Sequence, residues 1–143
     1  MKWVTRERPK TDRIACPWLI RSFIDPDAEI IYTPARDVLR IAAEVGGYSF
    51  DTVGAEFTHV GNQCTFEVLI DRYQLGADLA LVRLARIVHA ADVDDELDTD
   101  LAGLGLLMIG IGGLDVESDD YRLLDRASFV YDALYAWCQR ETR

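Results

Sequence analysis

Only two histidines occur in the chain, and each has a carboxylate three positions away. Glu56 precedes His59 in the run G-A-E-F-T-H, and Asp92 follows His89 in I-V-H-A-A-D. On a helix, a spacing of three brings His89 and Asp92 to one face, with Cβ atoms about 5–6 Å apart. On a strand, Glu56 and His59 would point to opposite faces, so they share an ion only if that run is a turn.

Two imidazoles and two carboxylates suit iron, manganese or zinc. The sequence therefore predicts a candidate transition-metal site formed by Glu56, His59, His89 and Asp92. The alternative is that His89 lies on the polar face of its helix and that His59 is a hydrogen-bonded loop residue.

The cysteines offer a second kind of chemistry. Cys16 and Cys64 each precede a predicted helix, where the positive end of the helix dipole lowers the pKa of a thiol. Both are candidate redox thiols or metal ligands, although most free cysteines are small buried hydrophobic residues. Cys138 lies among apolar residues and is predicted to be core. Three cysteines without a C-x-x-C pair favour reduced thiols in a cytoplasm over a disulfide framework.

The charge distribution is uneven. Residues 1–24 hold six basic groups against two acidic ones, a local charge of +4. Because the net charge of the chain is −10, the remaining residues together carry a charge of −14. Arginine and lysine near the start of a helix form a plausible pocket for a doubly charged oxyanion. The candidate anion-binding residues are Arg6, Arg8, Lys10 and Arg13. A solvated loop that pairs with acidic residues is the alternative.

Several classes of function are disfavoured. The net negative charge repels nucleic acid, so direct nucleic-acid binding by this chain alone is not expected. The glycines fit neither a dinucleotide fingerprint nor a phosphate-binding loop, since Asp115 stands where G-x-G-x-x-G needs glycine, and no nucleotide cofactor is expected. No signal peptide is recognisable, and the longest uncharged run, 101–114, is shorter than the roughly 20 residues that cross a bilayer. We therefore expect a soluble cytoplasmic protein without membrane contact.

The pattern of apolar residues predicts one α+β domain over residues 1–143, with a small sheet and covering helices in the N-terminal half and a helical C-terminal half. In chain order, the predicted elements are a strand at 2–6, a helix at 17–24, a strand at 29–33, a helix at 34–45, extended segments at 48–53 and 56–60, and helices near 66–73, 78–93, 100–114 and 121–139.

Five runs are distinctive together: W-V-T-R-E-R-P-K-T-D-R-I-A-C-P-W-L-I-R, F-I-D-P-D-A-E, G-A-E-F-T-H, C-T-F-E and V-Y-D-A-L-Y-A-W-C. From Trp3 to Cys138 the chain resembles the chromate-resistance domain found at the C-terminal side of the regulator ChrB and in shorter stand-alone proteins. The matching runs contain Cys16, Glu56, His59, Cys64 and Glu67. The resemblance implies a role in bacterial chromate resistance. It does not imply transcriptional control by this chain alone, because the N-terminal part of the longer regulators is not recognised in it.

Two functions follow from these observations. In the first, the domain binds a transition metal or an oxyanion in response to chromate stress, as a sensor or resistance module. In the second, it is a redox metalloenzyme that reduces chromate or removes superoxide. The usual iron or manganese superoxide dismutase site takes three histidines and an aspartate, and this chain has only two histidines. The expected partners are chromate or a metal ion, and a homo-oligomer is left open.

Overall fold

Three parallel strands form the sheet, in the order β2-β1-β3. The computed structural model describes residues 1–9, 11–92 and 119–143, and the helix predicted at 100–114 lies outside them. The strands are β1 (Lys2–Arg6), β2 (Glu29–Thr33) and β3 (Tyr48–Ser49). Within the described residues, the α-helices are α1 (Thr11–Leu19), α2 (Val38–Val45), α3 (Thr65–Arg72), α4 (Leu79–Asp92) and α5 (Asp120–Glu141), with a π-helical turn at Ile20–Ile24 and a 3₁₀ turn at Ala35–Asp37. The α+β class is confirmed.

The central strand β1 is buried on both faces. Successive side chains of a strand point to opposite faces, and Trp3 and Val4 are 1% and 0% exposed. Trp3 belongs to the main core, which is shared with α1, α3, α4 and α5, whereas Val4 packs with Val38 and Ala42 of α2. The two crossover helices α1 and α2 therefore cover opposite faces of the sheet.

This arrangement creates a topological switch point between β1 and β3. The chain leaves β1 through α1 to reach β2 on one side, and it returns through α2 to β3 on the other side. In open parallel sheets, ligands bind in the crevice outside the carboxyl ends of two such strands. Arg6 ends β1, and Asp51 lies two residues beyond β3. The switch point therefore places Arg6 and Asp51 in the crevice where a ligand is expected.

The first helix begins earlier than its proline indicates. The sequence predicts a start at Pro17, but α1 begins at Thr11 and contains Pro17 in its interior. A proline there has no N–H for the carbonyl four residues earlier, which belongs to Arg13. The Tyr32 hydroxyl donates to that carbonyl at 2.7 Å instead. A tertiary hydrogen bond thus replaces the missing helical one, and the prediction that Cys16 lies at a helix N-terminus is wrong.

Replacing Tyr32 by phenylalanine should therefore lower the free energy of unfolding by about 1–2 kcal/mol, since a part-buried carbonyl would lose its donor. Denaturant unfolding of the two proteins measures the difference. Tyr48→Phe is the matched control, because Tyr48 is another half-buried tyrosine of the sheet and its ring packs on Trp3, away from the Arg13 carbonyl. Equal losses in both variants would show that the Arg13 carbonyl does not depend on Tyr32.

The stretch after α2 is less regular than predicted. Gly46 ends α2 in the left-handed conformation, with φ at 65°, and a Cβ on Gly47 would lie 2.6 Å from the Lys2 carbonyl oxygen. The extended segment predicted at 48–53 is a strand only at Tyr48–Ser49, because Asp51 turns the backbone with φ at 51°. The segment predicted at 56–60 makes isolated bridges only, including Phe50 with Phe57. A loop therefore follows β3 and leads to α3.

Candidate metal centre

The start of α3 brings a thiol and a carboxylate together. Cys64 is the N-cap residue, and the Glu67 carboxylate accepts a hydrogen bond from the Cys64 backbone N–H at 3.0 Å. The Glu67 backbone N–H in turn donates to the Cys64 side chain, which completes a reciprocal capping box. A capping box normally has serine or threonine at this position, and the run C-T-F-E places cysteine there. Local helix-start chemistry therefore fixes the Cys64 thiol beside the Glu67 carboxylate.

Helix α4 supplies an imidazole to the same place. His89 lies in the last turn of α4 and is 2% exposed. Its Nδ1 lies 2.5 Å from Oε1 of Glu67. One ligand atom from each of Cys64, Glu67 and His89 can be chosen so that all three lie within 4.8 Å of one another. These three residues form a largely buried thiol, carboxylate and imidazole group, which we call the Cys64 centre.

The donor set of the Cys64 centre suits a four-coordinate metal. Zinc takes thiolate, imidazole and carboxylate ligands at about 2.0–2.3 Å, so two ligand atoms on one tetrahedral ion are about 3.5 Å apart. The present spread of up to 4.8 Å needs only a small contraction to reach that separation. Three protein ligands would leave the fourth position for water or another small ligand, as in zinc sites that do chemistry.

Glu67 could act on such an ion either as a direct ligand or as the residue that orients His89. Its contact with His89 is shorter than the separation of two ligands on one metal, so the pair now shares a hydrogen bond. An ion bound between them would replace that bond. Alternatively, Nδ1 keeps its bond to Glu67 while Nε2 of His89 coordinates, the arrangement in which an outer carboxylate orients a ligating histidine.

The residues predicted to bind metal are distributed more widely. Among the described side chains, His89 is the only one of the four that belongs to the Cys64 centre. His59 is exposed and its Nε2 lies 3.6 Å from Oδ1 of Asp51. Glu56 is also exposed, and its backbone N–H donates to Ser49. The side chain of Asp92 lies outside the description, so the four-residue site stays a prediction.

A second cluster of charged and polar groups surrounds Asp51, which is 6% exposed. Arg6 approaches the Asp51 carboxylate at 3.4 Å and Arg13 at 3.8 Å, and the Arg6 Nε–H also donates to the Asp51 backbone carbonyl at 2.9 Å. The Thr65 hydroxyl donates to Oδ1 of Asp51 at 2.9 Å. With His59 on the same oxygen, four side chains converge on this carboxylate at the switch point.

The predicted anion-binding residues therefore separate into two groups. Arg6 and Arg13 converge, but they do so on a carboxylate, as the alternative of pairing with acidic residues expected. Arg8 is exposed, and its backbone N–H donates to Asp120 at 3.0 Å. Lys10 lies outside the described residues. No signal in the sequence pointed to Asp51, because its role depends on how β1, α1 and α3 meet.

The thiols differ in their surroundings although all three are buried. Cys64 lies at a helix start as predicted, and Cys16 lies inside α1. Burial raises the pKa of the Cys138 thiol, which fits its predicted place in the core. Among the described residues, Cys64 is the cysteine that belongs to a group able to hold a metal ion.

No described helix has both the length and the apolar character needed to cross a membrane.

Comparison with known proteins gives a consistent result. Residues 3–138 match the family described as ChrB, C-terminal domain. The chain is 37% identical over 134 residues to Protein ChrB of Cupriavidus metallidurans. That match covers 94% of the chain but only 40% of the relative. No solved structure matches. The chain therefore belongs to the ChrB C-terminal domain family, as the motifs between Trp3 and Cys138 indicated.

Proposed function

We propose that this chain is a chromate-stress protein that binds a transition metal at the Cys64 centre and acts as a sensor or resistance module. The observation that carries the proposal is the convergence of Cys64, Glu67 and His89 from two helices, with ligand atoms within 4.8 Å of one another. The relative's name, Protein ChrB, and the shared domain family support the link to chromate.

The donor set narrows the choice of metal. Thiolate ligands favour zinc and iron over manganese, which prefers oxygen donors. An imidazole suits both of the favoured metals, and a carboxylate is accepted by both. We therefore expect zinc or ferrous iron in the Cys64 centre, and manganese to bind more weakly.

The purified protein should take up one equivalent of zinc or iron per chain, measured by elemental analysis after removal of loosely bound ions. Cobalt(II) in place of the native metal should give a thiolate-to-metal charge-transfer band in the near ultraviolet, because Cys64 is a ligand. Cys64→Ser should lose this band, whereas Cys138→Ala is the matched control and should keep it. A chain that holds no metal at micromolar concentrations, or an unchanged band in Cys64→Ser, would contradict the proposal.

We also propose an oxyanion site at the switch point, favoured by the arginine pair there. Arg6 and Arg13 approach Asp51 at 3.4 and 3.8 Å, which is longer than the roughly 2.7–2.9 Å of a strong charge-assisted hydrogen bond. A dianion such as chromate would offer the two guanidinium groups more charge than this carboxylate does. The two arginines would bind the anion at the carboxyl edge of the sheet, close to the start of α3.

A further inference from the structure

Asp51 adopts a backbone conformation that is uncommon for a residue with a side chain. Its φ is 51°, in the left-handed region, although aspartate tolerates this region better than most residues. The conformation is held by the Asp51 backbone N–H, which donates to the Phe57 carbonyl at 2.8 Å, and by the Arg6 bond to the Asp51 carbonyl. Such strained positions persist where the surroundings fix them, and they cluster at functional sites.

The Asp51 carboxylate faces two different sets of groups. Its Oδ2 is the oxygen that Arg6 and Arg13 approach, whereas its Oδ1 accepts from the Thr65 hydroxyl and lies near His59. Thr65 is 0% exposed and is the first residue of α3. One carboxylate therefore bridges the arginine pair and the start of α3.

Thr65 is bonded directly to Cys64, the thiol residue of the Cys64 centre. Holding the Thr65 side chain fixes the first turn of α3, and the capping box transmits that position to Cys64 and Glu67. Ligands that are held in place before the ion arrives bind it more tightly, because less ordering is needed on binding. By holding Thr65, Asp51 thus helps to position Cys64 and Glu67, and so it influences the metal affinity of the Cys64 centre.

We infer that Asp51 and Thr65 are positioning residues that couple oxyanion binding at Arg6 and Arg13 to metal binding at the Cys64 centre. An oxyanion that draws the arginines from Oδ2 leaves Asp51 with fewer cationic neighbours, so its bond from Thr65 strengthens. The oxyanion therefore raises the metal affinity, and by thermodynamic linkage the metal raises the oxyanion affinity by the same factor. This inference rests on the proposed function of both sites.

The coupling is tested by measuring zinc affinity against a chromophoric chelator, in sodium sulfate and in sodium chloride of equal ionic strength. In the parent protein, sulfate should raise the zinc affinity by about fivefold or more. Thr65→Val keeps the shape of the side chain and removes the hydroxyl, so zinc should still bind. The ratio of the zinc affinity in sulfate to that in chloride should then fall toward one. Thr65→Ser restores the hydroxyl and should restore the effect, which a merely structural role for residue 65 would not predict.

Asp51→Asn provides an independent variant if Thr65→Val does not fold, and it should also lose the sulfate effect. A parent protein that binds zinc equally in sulfate and chloride would overturn the coupling and leave the metal proposal intact. An equal sulfate effect in the parent, Thr65→Val and Asp51→Asn would overturn the inference that Asp51 and Thr65 carry the coupling, and would also leave the metal proposal intact. A parent protein that binds no zinc would overturn both the metal proposal and the coupling.

Discussion

His89→Ala should lower the zinc affinity of the protein by roughly 100-fold or more. Loss of a residue that only orients a ligand costs about 10–100-fold, so loss of the imidazole itself should reach at least the upper end of that range. His89 is 2% exposed and directly contacts Glu67, and the chain has only one other histidine that could replace it. Competition with a chelator of known affinity measures the change.

His59→Ala is the matched control because His59 is the other histidine of the chain. It lies beside Asp51 and not in the Cys64 centre, so its removal should leave zinc affinity within a few-fold of the parent. A loss in His59→Ala as large as the loss in His89→Ala would favour the site predicted from Glu56, His59, His89 and Asp92. Unchanged affinity in His89→Ala would remove the Cys64 centre from the function.

Glu67→Gln separates the two roles of the carboxylate in the same assay. Glutamine keeps the size of the side chain and its ability to accept from the Cys64 backbone N–H, but it is a poor metal ligand. A loss of about 10–100-fold is expected if Glu67 orients His89, and a larger loss is expected if it coordinates the ion.

The sequence predicts those parts of the fold that local interactions determine. The strands β1 and β2 have the predicted bounds, since β-branched and aromatic residues between turn residues mark them clearly. The position of Cys64 at a helix start is also local, because the capping box involves residues three apart. Pro17 misled the prediction because its cost is offset by Tyr32, which lies on another element.

The candidate site could be predicted only in part, because it depends on contacts between distant segments. Glu67 and His89 are 22 residues apart, and Thr65 and Asp51 are 14 apart. A search for carboxylates near each histidine along the chain could not find these pairs, since they arise from the packing of α3 against α4 and from the loop after β3. The run C-T-F-E was the one local signal, because its cysteine and glutamate have capping-box spacing.

Oxyanion affinity should depend strongly on Arg6 and Arg13. An Arg6→Ala/Arg13→Ala double variant should bind sulfate or chromate roughly two to four orders of magnitude more weakly than the parent. Each charge-assisted hydrogen bond contributes about 1.5–3 kcal/mol, and the variant loses two donors. Both guanidinium groups are partly shielded from water, with side chains 38% and 12% exposed, so salt should screen them less than surface charges.

Calorimetry with sulfate, and then with chromate as a competitor, measures this loss. The matched control is Arg36→Ala/Arg40→Ala, which removes the same charge from α2 and its preceding turn, where both arginines pair with Asp37. If long-range attraction to positive charge alone held the anion, the two double variants would weaken it to a similar extent. A loss confined to Arg6 and Arg13 requires direct contact at the switch point, whereas equal affinity in all three proteins would exclude the arginine pair as the oxyanion site.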